Sequence, residues 1–228
     1  FMKEQSAGLV RRNVVFVVSL FIVIALVGAG ILAPDRMDSG SQRVHAFIID
    51  HFGWGYLVAA FLFLVFALYI AFSKFGRIRL GSDDEKPQYS YFAWFSMLFA
   101  AGMGIGLIFW GVAEPMSHYL HPPEHIAEAS GDAAAFAMRY SFFHWGIHPW
   151  AIYIVVSLAI AYFSFRRGMP PLMSSAFYPL IGDRINGWIG KSIDVFAIFA
   201  TVFGVATSLG LGALQIAGGV STVLPIPE

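Results

Sequence analysis

Five apolar stretches, each long enough to cross a lipid bilayer, constrain the fold of this chain more than any other feature. A helix needs roughly 20 apolar residues to span about 30 Å of hydrocarbon. The stretches cover residues 14–33, 54–72, 91–112, 136–165 and 193–217. Because open sheet edges cannot be satisfied in lipid, the pattern predicts an all-α polytopic membrane protein with five transmembrane helices.

The charge content supports a membrane setting. Only 12% of the residues are charged and 58% are hydrophobic, whereas soluble domains carry about 25% charged residues. The lipid bilayer is therefore the expected partner, and the zero net charge argues against nucleic acid. There is no cysteine, and the spans contain no HExxH, no GxSxG and no paired carboxylates, so an enzyme with catalytic residues is not expected.

The basic residues predict an orientation in the plasma membrane. Eleven of them fall on one side of the five spans and three on the other. The positive-inside rule places the larger group, and with it the N-terminus, in the cytoplasm. The larger group is Lys3, Arg11, Arg12, Lys74, Arg77, Arg79, Lys86, Arg166, Arg167, Arg184 and Lys191, and the smaller group is Arg36, Arg43 and Arg139.

Three connections between the spans carry further predictions. Residues 81–87 form a polar cytoplasmic connection, and the apolar positions within 168–187 suggest an interfacial helix lying on the membrane. Residues 114–132 are expected to form a long outer loop. Glu114 is interpreted as an interfacial charge that helps to end the third helix before Pro115, and the alternative is a proton carrier at the membrane surface.

Three alternating glycines interrupt the third apolar stretch. Gly102 and Gly104 lie on either side of Met103, and Gly106 follows two residues later. Each glycine inside a helix costs about 1 kcal/mol relative to alanine. The helix is therefore expected to unwind here, so that free carbonyls can face a cation or a substrate. The alternative is a close helix-packing groove. The glycines do not form a GxGxxG nucleotide motif.

The fourth stretch places large aromatic side chains on one side of a helix. Trp145, Trp150 and Tyr153 fall within a sector of roughly 140°, and Pro149 can bend the helix at that sector. Several aromatic rings around one space can hold a quaternary ammonium ion by cation–π attraction. The alternative is an ordinary belt of helix-contact and interfacial aromatic residues.

Histidines raise the question of a metal site. His144 and His148 are spaced four residues apart, but the span offers no nearby Asp, Glu or Cys as a further zinc ligand. Packed histidines that hydrogen-bond across helices are therefore the favoured interpretation. A site formed by His118, His121 and His125 in the predicted outer loop is only weakly supported, and no metal other than sodium is expected.

The fifth stretch is rich in small and hydroxylated residues. Thr201, Thr207, Ser208 and Gln215 carry neutral oxygens of the kind that a sodium ion prefers. The alternative for each of them is hydrogen bonding between closely packed helices.

Two long motifs resemble those of a known family. Residues 99–115, FAAGMGIGLIFWGVAEP, and residues 143–153, FHWGIHPWAIY, are similar in sequence and order to the signatures of the betaine/choline/carnitine transporter family. The resemblance continues through Arg184 and on to residues 210–215, so it covers nearly the whole chain.

The resemblance implies a fold of the leucine-transporter type with two inverted five-helix repeats. Residues 1–90 would hold two leading helices, and residues 91–228 would hold the first three helices of repeat one. The glycine stretch would be the discontinuous helix of that repeat. Trp145, Trp150 and Tyr153 would form half of an aromatic substrate box, next to Gly102, Met103, Gly104 and Gly106.

The resemblance also implies sodium as the coupling ion and no other cofactor. The carbonyls of Ala100 and Met103 would contribute to one sodium site, and Thr201 would contribute to a second. The family's second threonine is replaced here by Val205, which puts that second site in doubt. Proton-coupled choline carriers tend to have an aspartate where this chain has Gly106, so sodium is favoured.

The expected function is sodium-coupled symport of glycine betaine or choline by a homotrimer. The alternatives are a carnitine or other small-amine transporter or exchanger on the same fold, and a non-transporting membrane osmolyte sensor. We also expect that the chain is a fragment of a longer protein and does not transport alone.

Overall fold

The structure is a computed structural model that describes residues 2–102 and 104–224, with side chains from residue 14 onward except at positions 101 and 105. Within these ranges every regular element is a helix. The all-α prediction is therefore confirmed for the described chain.

Nine α-helices follow one another along the described residues. They are α1 Met2–Leu32, α2 Pro34–Phe72, α3 Tyr91–Gly102, α4 Ile105–Leu120, α5 Gly131–Trp145, α6 Ile147–Ala161, α7 Met173–Ala176, α8 Tyr178–Ile181 and α9 Trp188–Val223. Two 3-10 segments, Lys74–Arg77 and Gly182–Asn186, and a π-helical turn at Tyr162–Arg166 complete the regular structure of this part of the chain.

Four helical stretches of the described chain are long and apolar enough to cross a membrane. They are Val14–Leu32, Pro34–Phe72, Gly131–Arg166 and Trp188–Val223. These stretches correspond to the first, second, fourth and fifth predicted spans. The third predicted span is divided between the shorter helices α3 and α4, so a fifth crossing and the leucine-transporter-type fold stay predictions.

Helix α2 is much longer than the predicted second span. It starts at Pro34, a residue preorganised for the first helical turn, and its 39 residues reach about 58 Å at 1.5 Å per residue. The hydrocarbon layer needs only about half of that length. The polar first half, where Gln42 Nε2 donates to Asp38 Oδ2 over 2.8 Å, must therefore extend beyond the hydrocarbon.

The predicted interruption of the third span is confirmed. Helix α3 ends at Gly102 and α4 starts at Ile105, while Gly104 between them has extended backbone angles of φ −85° and ψ 174°. Met103 lies outside the described residues.

The prediction that Glu114 helps to end this helix before Pro115 is wrong. Helix α4 continues through Pro115 to Leu120, so the outer connection to α5 is limited to residues 121–130. The proline removes one hydrogen bond. The packing of α4 along α5 supplies enough contact to carry the helix past it.

The prediction of a single interfacial helix within residues 168–187 is also wrong. The segment contains the four-residue helices α7 and α8 and a 3-10 segment. Pro170, Pro171 and Pro179 lack the donors that a longer helix needs. Gly182 adopts a positive φ of 55°, which ends α8 in a conformation that favours glycine.

The chain forms two compact units. The first comprises residues up to Asp83 together with Trp150–Thr201, and the second comprises Asp84–Pro149 together with the residues from Val202 onward. This is a division by spatial contact. The division into leading helices at 1–90 and a first repeat at 91–228 stays a prediction.

Very few apolar side chains are buried among those that the structure describes. The buried hydrophobic residues are Val15, Ala133, Ala137, Ala151 and Ile185. Most of the large apolar residues on the long helices are exposed instead. Such surfaces suit a helix whose solvent is lipid or other transmembrane helices rather than water.

In the first unit, an ion pair joins the end of the π-helical turn to the connection after α2. Arg166 Nη1 donates to Asp83 Oδ1 over 2.7 Å and to the Gly81 carbonyl over 2.9 Å. Two connections that the basic residues assign to the same side of the membrane are therefore in contact. The orientation of that side toward the cytoplasm stays a prediction.

The pair should make stability depend on pH. The hydrogen bond and charge of Arg166 lower the pKa of the Asp83 carboxyl. The contribution is therefore present above the carboxyl's ordinary pKa and is lost as the pH falls through the lowered value. Asp83→Asn should lower the unfolding temperature of the detergent-solubilised protein at neutral pH and low salt, and the difference should close on acidification. Asp84→Asn is the matched control, and a difference that persists in acid would contradict the assignment.

A buried carboxylate anchors α7 to α9 in the same unit. Asp194 is 3% exposed, and its two oxygens accept from the backbone N–H of Ser174 over 2.9 Å and from the Ser174 hydroxyl over 3.0 Å. The Ser175 hydroxyl donates to the Pro170 carbonyl over 2.7 Å. These bonds fix a segment whose helices are too short to be stable alone.

Replacing the anchor should destabilise this unit. Asp194→Ala removes the acceptor of two buried donors, and leaving a buried donor unsatisfied costs about 1–3 kcal/mol. The expected result is a clear loss of thermal stability in detergent, together with faster proteolysis of residues 168–187. Asp183→Ala, at an exposed residue of the second 3-10 segment, serves as the control. Equal stability of the two variants would exclude the anchoring role.

Candidate functional site

Helices α4 and α5 pack side by side in the second unit. Ala133 and Ala137 of α5 are 0% and 3% exposed, and small residues of this kind let helix backbones approach closely. The connection between the helices is closed by Tyr119, whose hydroxyl donates to the Ala129 carbonyl over 2.7 Å. The Ala129 N–H donates back to the Tyr119 carbonyl over 3.1 Å.

Glu114 is the polar centre of this helix pair. Its Oε1 lies 2.5 Å from His144 Nδ1, and its Oε2 accepts from Trp145 Nε1 over 2.6 Å. Because an ionised carboxylate only accepts, Nδ1 of His144 carries the hydrogen. The prediction that His144 hydrogen-bonds across helices is confirmed. The fourth predicted span itself contains no acid, and the carboxylate beside His144 comes from Glu114 on α4, 30 residues earlier.

A second histidine completes the cluster. His118 Nε2 lies 3.5 Å from Glu114 Oε1, one helical turn further along α4. The three residues surround one end of a cavity of about 480 Å³. Its lining residues are Trp110, Glu114, Ser117, His118, His144 and Trp145. A space of this size, with aromatic walls and a few convergent polar groups, is typical of a small-ligand site.

The carboxylate should hold the two helices together. Charge-assisted hydrogen bonds contribute about 1.5–3 kcal/mol, so Glu114→Ala should lower the unfolding temperature in detergent. It should also shift the fluorescence emission of Trp145, whose indole would lose its acceptor. Glu124→Ala in the exposed loop is the control. A variant with unchanged stability and emission would show that the bridge carries little energy.

The fourth predicted span contains a break between α5 and α6. The break lies at Gly146, three residues before Pro149, which is the third residue of α6. A proline is tolerated in a first turn, where its missing N–H has no partner within the helix. A Cβ atom added at Gly146 would lie 2.7 Å from the Phe142 carbonyl oxygen, so the break itself requires glycine.

Two of the three predicted aromatic site residues are brought together in the first unit. The rings of Trp150 and Tyr153 have centroids 6.2 Å apart at an angle of 49°. The side chains are 49% and 71% exposed. Trp145 belongs to the second unit, where it donates to Glu114. That Trp145 lines the same aromatic substrate box as Trp150 and Tyr153 stays a prediction.

The residues predicted to bind sodium lie at helix ends and on α9. Ala100 and Gly102 are in the last turn of α3, where the final four carbonyls lack donors within the helix. Thr201 Oγ1 donates to the Ala197 carbonyl over 2.8 Å, and Thr207 Oγ1 donates to the Phe203 carbonyl over 2.9 Å. These bonds use the hydroxyl hydrogens and leave the oxygen lone pairs available. The sodium sites stay predictions.

The glycines of the interruption are surrounded by open space. A Cβ atom at Gly104 or at Gly106 would meet no atom within 4 Å among the described residues. The packing of this chain therefore does not require glycine at these two positions. Their small size leaves room for a ligand or for another part of the protein.

Four long apolar helical stretches of the described chain define a polytopic membrane protein. A further helix interrupted at a glycine cluster is a feature that many secondary transporters share. The family model described as BCCT, betaine/carnitine/choline family transporter, matches residues 14–228. The chain belongs to this family, so the expectation of a transporter rather than an enzyme is confirmed.

Curated relatives agree with this assignment. The chain is 50% identical over 217 residues to a probable glycine betaine transporter of Desulfitobacterium hafniense, covering 95% of this chain and 44% of that protein. It is 52% identical over 212 residues to the glycine betaine transporter OpuD of Bacillus subtilis, covering 91% and 41%. An ectoine/hydroxyectoine transporter of Virgibacillus pantothenticus is 48% identical over 217 residues, covering 95% and 43%. The chain thus spans less than half the length of these relatives.

Proposed function

We propose that this chain belongs to a sodium-coupled symporter that carries glycine betaine or a closely related quaternary-ammonium solute. The observation that carries the proposal is the pair of exposed aromatic rings at Trp150 and Tyr153, within the motif FHWGIHPWAIY. The names of the relatives from Desulfitobacterium and Bacillus support this substrate class.

The aromatic pair matches the chemistry of the cation. A quaternary ammonium group has no N–H to donate, so ordinary hydrogen-bond acceptors cannot hold it. A tryptophan or tyrosine face attracts such a cation through its ring quadrupole, with about 2 kcal/mol or more when the contact is desolvated. Trp150 and Tyr153 offer two such faces one helical turn apart.

The interrupted helix of the second unit by itself offers groups that suit both charges of a zwitterion. The free carbonyls at the end of α3 favour positive charge, and the free N–H groups at the start of α4 favour negative charge. Glycine betaine carries one charge of each sign. The open space beside Gly104 and Gly106 is consistent with a small solute at this point.

Sodium coupling rests on the predicted ion ligands. The carbonyls of Ala100 and Met103 would serve one ion, and the hydroxyl of Thr201 would serve another. Gly106 stands where proton-coupled choline carriers tend to have an aspartate. A homotrimer and a cytoplasmic N-terminus are part of the same proposal.

A second candidate substrate is ectoine, because one relative at 48% identity is named an ectoine/hydroxyectoine transporter. Choline and carnitine stay candidates through the family description. Competition for uptake separates these solutes.

The test is uptake of labelled glycine betaine by cells that express the full-length gene product, with sodium or potassium outside. Loss of one desolvated ring contact of about 2 kcal/mol corresponds to a rise in KM of about 30-fold. Trp150→Ala should show a rise of at least this size. Trp54→Ala, which removes an exposed tryptophan from α2, should leave KM unchanged.

Each outcome has a distinct meaning. Sodium-dependent uptake that only Trp150→Ala impairs supports the aromatic site and the coupling ion together. Uptake that is indifferent to sodium overturns the sodium coupling. Absence of betaine uptake together with uptake of labelled ectoine moves the substrate to the second candidate.

A further inference from the structure

The cluster at Glu114 contains the donor set of a transition-metal site. Glu114, His118 and His144 each offer one ligand atom, and these three atoms all lie within 4.8 Å of one another. Two imidazole nitrogens and one carboxylate oxygen form a set that suits zinc and other divalent first-row metals. Hard cations such as calcium and magnesium instead prefer sites built of oxygen ligands.

Two of the three distances between ligand atoms in the cluster fit a metal ion after small movements, and the third lies within 4.8 Å. Two ligand atoms at 2.0–2.1 Å from a tetrahedral ion are about 3.4 Å apart. Glu114 Oε1 lies 3.5 Å from His118 Nε2 and 2.5 Å from His144 Nδ1. The first pair is thus already spaced for coordination. The second pair must open by less than about 1 Å, which the half-exposed His144 side chain can do by rotation.

The burial of His118 Nε2 gives a second, independent reason to expect a metal ion here. This nitrogen is buried, and its contact with Glu114 Oε1 is a long ion pair of 3.5 Å rather than a hydrogen bond of ordinary length. A buried polar atom without a close hydrogen-bond partner is costly. A metal ion between the imidazole and the carboxylate would satisfy this nitrogen.

We propose that Glu114, His118 and His144 bind a divalent transition-metal ion of the zinc type, which links α4 to α5 at the cavity that they line. In this site Nδ1 of His144 loses its hydrogen, and the neutral ring carries it on Nε2 instead. Trp145 Nε1 keeps its bond to the other carboxylate oxygen and orients the ligand, as outer-shell donors do in metal sites. The cavity leaves a coordination position open to water or to a small anion.

This site is separate from the predicted sodium sites. It uses none of Ala100, Met103 and Thr201, and its nitrogen donors do not suit sodium. The proposal does not rest on the transported substrate, so its test measures metal binding directly on the purified protein.

The experiment is titration of Co2+ into the full-length protein in detergent, purified without a polyhistidine tag, with Zn2+ as the competitor. A bound Co2+ ion with nitrogen and oxygen ligands gives visible absorption bands, and Zn2+ should abolish them. His118→Ala should weaken Co2+ binding by more than about 100-fold, since loss of an outer-shell partner alone costs 10–100-fold. His125→Ala, an exposed histidine of the neighbouring loop, should bind as the unaltered protein does.

A cysteine variant keeps the test decisive if His118→Ala fails to fold. The sequence contains no cysteine, so His118→Cys places a single thiolate in the cluster. It should retain Co2+ and add a thiolate-to-cobalt charge-transfer band, which His125→Cys should lack. No Co2+ bands in the unaltered protein, equal binding by His118→Ala, or a folded His118→Cys without the new band would each overturn the proposal.

Discussion

The fold depends on the requirement that backbone groups in hydrocarbon find their hydrogen-bond partners within the protein. Lipid offers no donors or acceptors, so a spanning segment must satisfy its amides within its own helix. The long helices α1, α2 and α9 do this without a break along the described chain. Every interruption of a helix in this setting frees backbone groups, and it persists only where something compensates for them.

Two such interruptions lie in the apolar stretches of the described chain, and each has a chemical cause. Glycines lower the helix propensity between α3 and α4, and a Cβ atom at Gly104 or Gly106 would meet no described atom within 4 Å. Between α5 and α6 the close approach of the Phe142 carbonyl excludes a side chain at Gly146, and Pro149 lies in the first turn of the new helix. Both interruptions fall inside the two motifs by which the chain resembles its family. The helix interruptions, where backbone groups are hardest to pair in hydrogen bonds, are therefore the places best suited to bind a ligand or an ion.

Specific polar contacts join helices in each unit, and they matter because hydrophobic attraction does not hold helices together in lipid. In the second unit, Glu114 links α4 to His144 and Trp145 of α5. In the first unit, Asp194 holds α7 against α9, and Arg166 holds the connection after α2. The same carboxylate of Glu114 positions a tryptophan of the predicted substrate motif and supplies a ligand of the proposed metal site. Glu114 therefore takes part in helix packing, in positioning a residue of the predicted substrate motif and in the proposed metal site.

Much of the helical organisation could be predicted, because hydrophobic length and helix propensity are local properties. Four long apolar helices and the break near Gly104 follow from residues within one segment. The wrong predictions concern features that depend on a neighbour. Pro115 and Glu114 predict the end of a helix when they are considered alone, but α4 continues because α5 packs beside it. The prolines and Gly182 of residues 168–187 divide a segment whose apolar positions alone suggested one helix.

The sequence by itself determined the class of fold, the family and the candidate aromatic residues, since composition, apolar length and motif order are present in the chain before it folds. Only the tertiary structure decided that Glu114, His118, His144 and Trp145 form one cluster. These residues come from two segments that lie 26 to 31 positions apart in the chain, and no local periodicity relates α4 to α5. Side chains from different helices meet only when the helices pack, and packing depends on the shapes of both surfaces at once.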